Sequence, residues 1–139
     1  MRILAIDYGD ARIGLALSDE SETLASPLGT YKSQSMRKDI DAIAALAKEK
    51  DAGLIVLGLP INMDGSHGER ANKTESFGKV LEKVSGLKVV YKDERLTTVS
   101  AEKTLIECNM RREKRKQVID TLSAQIILQS YLDAQKRIK

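Results

Sequence analysis

Apolar residues along the chain fall into two patterns. Unbroken aliphatic runs flanked by turn residues occur at Ile3-Leu4-Ala5-Ile6 and Leu54-Ile55-Val56-Leu57, a strand-like run at Ile13 to Ser18, and a mixed run at Leu87 to Tyr91. Such runs predict strands, the most continuous of them buried on both faces. A further stretch, Thr23 to Tyr31, is interrupted by Pro27 and Gly29, which makes it an edge strand or an irregular extended piece. Helical spacing appears at Met36, Ile40, Ile43, Ala44 and Ala47, and again at Phe77, Val80, Leu81 and Val84 before Gly86. Thr97 or Thr98 can cap a helix carrying Ala101, Leu105 and Ile106. The last helix is expected over roughly Lys116 to Gln135. There Val118, Leu122 and Ile126 form one row, and Asp120, Ala124, Ile127 and Tyr131 another.

The order is strand, strand, strand, helix, strand, helix, strand, helix, helix. Three extended segments with short connections predict an antiparallel meander, and the βαβαβ that follows predicts parallel strands. The fold class is therefore α/β, a mixed five-stranded sheet flanked by helices, in one domain over 1–139. Asn62-Met63-Asp64-Gly65-Ser66-His67-Gly68 has no apolar period. It reads as a surface loop at a strand's carboxyl end, where α/β proteins place function.

Three acids stand where structure alone does not ask for them. Asp7 ends the first strand, Glu94 follows the last, and Asp120 heads an otherwise apolar helical row. Strands one and five pointing the same way would bring Asp7 and Glu94 to one sheet edge, and a helix over that edge could add Asp120. Converging carboxylates repel unless a cation sits among them. Oxygen ligands alone favour Mg²⁺ or Mn²⁺, ions that support phosphoryl chemistry. From Arg111 to Lys116 five of six side chains are cationic. No core absorbs that charge, so the run is a solvated loop or helix start, suited to a phosphate backbone.

Composition narrows the setting. The chain has 139 residues, 42% hydrophobic and 31% charged, enough for a folded core. No run approaches the ~20 apolar residues of a membrane helix. The first strand opens the chain, so no signal peptide is expected. Cys108, a lone cysteine, implies a reducing, cytoplasmic setting and reads as a packed small side chain. Net charge is +3, which permits a polyanionic partner. Aromatics are only 4%, a poor basis for a platform that stacks single-stranded bases.

Four groups of residues resemble the YqgF/RuvX family of pre-16S rRNA nucleases, a branch of the RNase H-like superfamily related to RuvC-type Holliday junction resolvases. They are Asp7-Tyr8-Gly9 with Arg12-Ile13-Gly14, and Gly58-Leu59-Pro60 with Asn62-Met63 and Gly65. The third is Asp93-Glu94-Arg95-Leu96-Thr97-Thr98 with Ala101-Glu102. The fourth is Lys114 to Lys116 with Ile119-Asp120, then Ile127-Leu128-Gln129 and Tyr131-Leu132. The resemblance implies the RNase H-like fold, a Mg²⁺-dependent site of Asp7, Glu94 and Asp120, and a role in maturing the 5′ end of small-subunit ribosomal RNA. A fourth acid, frequent in the superfamily, has only Asp64 and Asp93 as candidates here. Arg12, Asn62, Arg95, Arg112, Lys114, Arg115 and Lys116 are the expected nucleic-acid contacts.

The leading expectation is a nuclease acting on a ribosomal RNA precursor, free or in a pre-ribosomal particle, by two-metal phosphodiester hydrolysis. The alternatives are a Holliday junction resolvase acting on branched DNA, which should be a dimer to cut two strands symmetrically, and a non-catalytic nucleic-acid-binding ribosome or transcription factor; the chain itself is expected as monomer or homodimer. An actin-like or sugar-kinase-like ATPase opens with a similar strand, acid and glycine turn but normally needs two such domains. No membrane partner is expected. His67 and Tyr8 each have a functional reading, as proton shuttle and base stack, beside a structural one.

Overall fold

The computed structural model describes residues 1–62, 64–94 and 112–138, with the side chains of the last helix described over 122–136. The elements are β1 (Arg2–Tyr8), β2 (Arg12–Ser18), β3 (Ala25–Lys32), α1 (Met36–Glu49), β4 (Ala52–Leu59), α2 (Glu69–Ser85), β5 (Val89–Asp93) and α3 (Arg112–Ile138). The expected helix around Ala101 to Ile106, together with Cys108, Met63 and Arg95, lies outside the described residues.

One sheet holds all five strands in the order β3-β2-β1-β4-β5. β1, β2 and β3 form the antiparallel meander; β4 and β5 run parallel to β1. The carboxyl ends of β1, β4 and β5 therefore share one edge. β2 is antiparallel to β1, so its first residues, from Arg12, lie at that edge too.

Strand residues alternate between two cores, as a pleated sheet requires. Leu4, Ile6, Tyr8, Ile13, Leu15, Ile55 and Leu57 pack with Ile40 and Ile43 of α1 and Phe77 and Leu81 of α2. Ile3, Ala5, Ala16 and Val56 pack with Ala124, Ile127, Leu128 and Leu132 of α3. Central strands thus bury both faces, which explains their unbroken aliphatic runs.

Element ends follow local chemistry. Ser35 caps α1, its Oγ accepting from the Lys38 amide. Gly86 closes α2 in the left-handed region at φ 72°, and its amide donates to the Glu82 carbonyl. Leu87 bends the chain out of this cap; the Lys88 carbonyl already accepts from the Ile55 amide of β4 at 3.0 Å, and β5 itself begins at Val89. On α2, Val80 and Val84 are 41% and 50% exposed, so that helix buries a narrower stripe than its apolar spacing implies. β3 is an edge strand, with a register shift opposite Leu15 and Ala16. α3 begins at Arg112, which makes the basic run the helix start.

Candidate active site at the carboxyl edge of the sheet

Asp7 is the next-to-last residue of β1. It continues the alternation of Ile3 and Ala5, which sets it on the α3 face. Both lateral neighbours are glycines. Gly14 of β2 is its direct partner, and Gly58 of β4 stands one step beyond the Ile6–Leu57 pair. Neither lateral neighbour therefore sets a side chain beside the half-buried Asp7 carboxylate.

Glu94 follows β5 directly, and its Oε1 is buried. A Cβ built on Gly58 would lie 3.2 Å from Glu94 Oε1 and 2.5 Å from Ile127 Cδ1. The Glu94 carboxylate thus reaches over the end of β4 on the α3 face. Asp7 and Glu94 accordingly approach the strand end of β4 from its two neighbouring strands, on the same face of the sheet.

α3 crosses this face in a fixed direction. Ile127 lies over Gly58 near the carboxyl edge, whereas Gln129 bonds β3, its Oε1 accepting from the Ala25 amide at 2.9 Å. Ala25 pairs with Ser18, which accepts from the Ile3 amide at the opposite end of the sheet. The helix therefore runs from the carboxyl edge toward the amino end of β1. Asp120 belongs to α3 seven residues before Ile127, two turns or about 10 Å upstream. It shares the row of Ala124 and Ile127, both fully buried. Its side chain is beyond those described, as are those of Arg112, Lys114, Arg115 and Lys116 on the first turns of α3. Among the described residues no group of three acids converges. Asp7 and Glu94 are two of the three expected, and their all-oxygen character suits a hard divalent cation.

The remaining sequence-derived residues divide. Arg12 opens β2 at this edge, half-buried, and its carbonyl accepts from the Gly9 amide at 3.0 Å. Asn62 organises the loop after β4: its Nδ2 donates to Ser66 Oγ at 3.0 Å, and Ser66 Oγ donates to Asp64 Oδ1 at 2.6 Å. Asp64 is thereby engaged in an exposed loop. Asp93 ends β5 two residues after Tyr91, whose ring reaches α2, so the strand alternation sets it on the face away from Asp7. Neither fourth-acid candidate joins Asp7 and Glu94 on the α3 face by these contacts. His67 Nδ1 lies 2.7 Å from Glu75 Oε1. Tyr8 is 8% exposed and stacks on Phe77 at 4.1 Å between centroids, so it covers the core.

One group at this edge is not foreseeable from the sequence. Arg70 and Lys73 of α2 hold Asp10 in the β1–β2 turn, at 2.9 and 3.1 Å, and Arg70 Nη2 also donates to the Tyr8 carbonyl at 3.0 Å. The hydrogen bond from Lys73 and the field of Arg70 hold the Asp10 carboxyl below its usual range, and Asp10 raises Lys73 in turn. Sixty residues separate the partners, and on α2 alone these charges read as a solvated helix face.

The mixed sheet with β1 central among meander and parallel strands, and acids at its carboxyl edge, defines the RNase H-like class. The fold is shared with Thermus thermophilus RuvC in complex with a Holliday junction substrate (TM-score 0.61, 13% identity, 99% of this chain and 96% of that one). It is shared too with the fowlpox virus resolvase bound to junction DNA (TM-score 0.56, 13% identity, 97% and 99% covered). The chain belongs to the RuvX family, described as Holliday junction resolvase, whose model matches residues 1–134. A relative from Caldanaerobacter subterraneus subsp. tengcongensis is 49% identical over 137 residues, covering 98% of this chain and 99% of its own. That relative carries the name "Putative pre-16S rRNA nuclease".

Proposed function

We propose that the protein is a metal-dependent endonuclease that processes the 5′ end of pre-16S ribosomal RNA during ribosome biogenesis. The observation that carries this reading is the placement of Asp7 and Glu94 at the ends of two strands flanking β4, on the face that α3 covers. Asp7, Glu94 and Asp120 would hold the metal, Mg²⁺ or Mn²⁺, on oxygen ligands. Such ions activate water and stabilise the leaving oxygen in phosphodiester hydrolysis. The chain's own residues supply the rest. Gly58 lets Ile127 and the Glu94 carboxylate close over the end of β4. Arg12, Arg95 and the start of α3, with Arg112, Lys114, Arg115 and Lys116, hold the phosphate backbone, and Asn62 shapes the loop at the same edge.

The names of the full-length relatives favour RNA as substrate, and the family description favours a DNA junction. Both are phosphodiesters cut by the same arrangement of acids. The setting proposed is the cytoplasm; no helix of the described residues is long and apolar enough to cross a membrane.

The test is to incubate the purified protein with precursor 16S RNA, a four-way DNA junction and single-stranded RNA, with and without Mg²⁺. Cleavage of the precursor near the mature 5′ end is expected. Preferential, paired cuts in the junction would establish the resolvase reading instead. Binding without cleavage under all conditions would make the protein a non-catalytic factor.

A further inference from the structure

Asp10 lies in the β1–β2 turn, three residues past Asp7, and is gripped by two cations, one on each carboxylate oxygen. Arg70 Nη1 meets Oδ2 at 2.9 Å and Lys73 Nζ meets Oδ1 at 3.1 Å. Two charged donors converging on two oxygens of one anionic group is also how phosphate oxygens are held. Both cations are held in place by more than Asp10. Arg70 is anchored by the Tyr8 carbonyl, and Lys73 Nζ lies 5.9 Å from the Tyr8 ring centroid. Asp10, by contrast, projects from an exposed turn whose backbone is pinned by the Gly9 amide on the Arg12 carbonyl and the Ser33 amide on the Ala11 carbonyl.

Exposure points the same way. The Arg70 and Lys73 side chains are 48% and 49% exposed and that of Asp10 is 69% exposed. An ion pair this open to water is weak and readily exchanged. The position is also apt: Arg70 grips the carbonyl of the residue directly after Asp7. Every nucleotide of a nucleic-acid strand carries one backbone phosphate charge. Asp7 and the β1–β2 turn share the carboxyl edge of the sheet, so a strand held at Asp7 and Glu94 can continue across that edge to Arg70 and Lys73 on the α2 side.

We propose, on the nucleic-acid reading given above, that Arg70 and Lys73 form a phosphate-binding pair at the rim of the active site, and that Asp10 occupies the place of a substrate phosphate until the strand displaces it. Asp10 then weakens binding, because the incoming phosphate competes with an internal anion, and it spares the pair for ligands that bring several phosphates at once.

The experiment measures the Kd of labelled single-stranded RNA spanning the 5′ end of 16S RNA, in metal-free buffer from about 50 to 200 mM salt, where bound phosphates set the slope. Arg70→Gln with Lys73→Gln should weaken binding about tenfold at low salt and flatten the slope by about 0.7 for each phosphate no longer neutralised. Asp10→Asn should tighten binding about two- to fivefold and should have no effect once both cations are gone. Arg70→Lys with Lys73→Arg should keep most of the affinity. Melting curves accompany every variant. Unchanged Kd and slope in the Gln double variant, with a lowered Tm, would reduce the cluster to a structural clasp and overturn the proposal. Loss of binding on replacing Arg112, Lys114, Arg115 and Lys116, with Arg70 and Lys73 dispensable, would overturn it while leaving the nuclease reading intact. Failure of the wild type to bind RNA or a four-way junction would overturn both.

Discussion

Glu94 Oε1 lies 3.2 Å from where a Cβ on Gly58 would stand, so the absence of a side chain at Gly58 is what lets the carboxylate cover the end of β4. The same missing Cβ would meet Ile127 Cδ1 at 2.5 Å. Gly58→Ala therefore has two neighbours to displace. Overpacking of this kind costs roughly 1–3 kcal/mol, which for a domain of this size is a Tm loss of several degrees. Because one displaced neighbour is Glu94, cleavage should fall further than the folded fraction does. Thermal melting beside an activity assay at a temperature where the variant is folded separates the two effects.

The far end of the sheet offers a control. Ser18 is buried, and its Oγ accepts from the Ile3 amide at 2.8 Å. Ser18→Ala leaves that buried amide without this acceptor, a cost of about 1–3 kcal/mol. Denaturant midpoints should shift accordingly, while activity per folded molecule stays at the wild-type value.

Charge at the start of α3 predicts a different phenotype. Replacing Arg112, Lys114, Arg115 and Lys116 by Ala should weaken RNA binding and flatten its salt dependence, by about 0.7 in slope for each phosphate that these cations neutralise. The fold should tolerate the change, because a cationic run of this density is no part of a core. An unchanged slope would make the run a solubilising surface.

Much of this architecture is legible in the chain. Burial on both faces writes itself into β1 and β4 as unbroken aliphatic runs, and Pro27 with Gly29 marks β3 as an edge. Asp7 is conspicuous because it ends such a run, and Glu94 because it directly follows the last strand. What the sequence conceals depends on contacts between distant segments. Nothing local reveals that Gly58 makes room for Glu94, or that Arg70 and Lys73 reach Asp10 across 60 residues. The start of β5 shifts because Leu87 bends the chain out of the Gly86 cap, which an apolar run does not display.

The central claim is that Asp7, Glu94 and Asp120 form one metal site, and the measurement that tests it most directly is thermal melting with and without Mg²⁺. Wild type, Asp7→Asn and Asp120→Asn should be melted side by side, with cleavage of precursor 16S RNA followed on the same samples. Mg²⁺ should raise the wild-type Tm by mass action. Asp120→Asn removes one of three repelling charges, so without metal it should melt at the wild-type temperature or above. With Mg²⁺, both variants should lose most of the rise and of the cleavage. An Asp120→Asn protein that is less stable without metal yet keeps the full Mg²⁺ response and full activity would contradict the three-acid site.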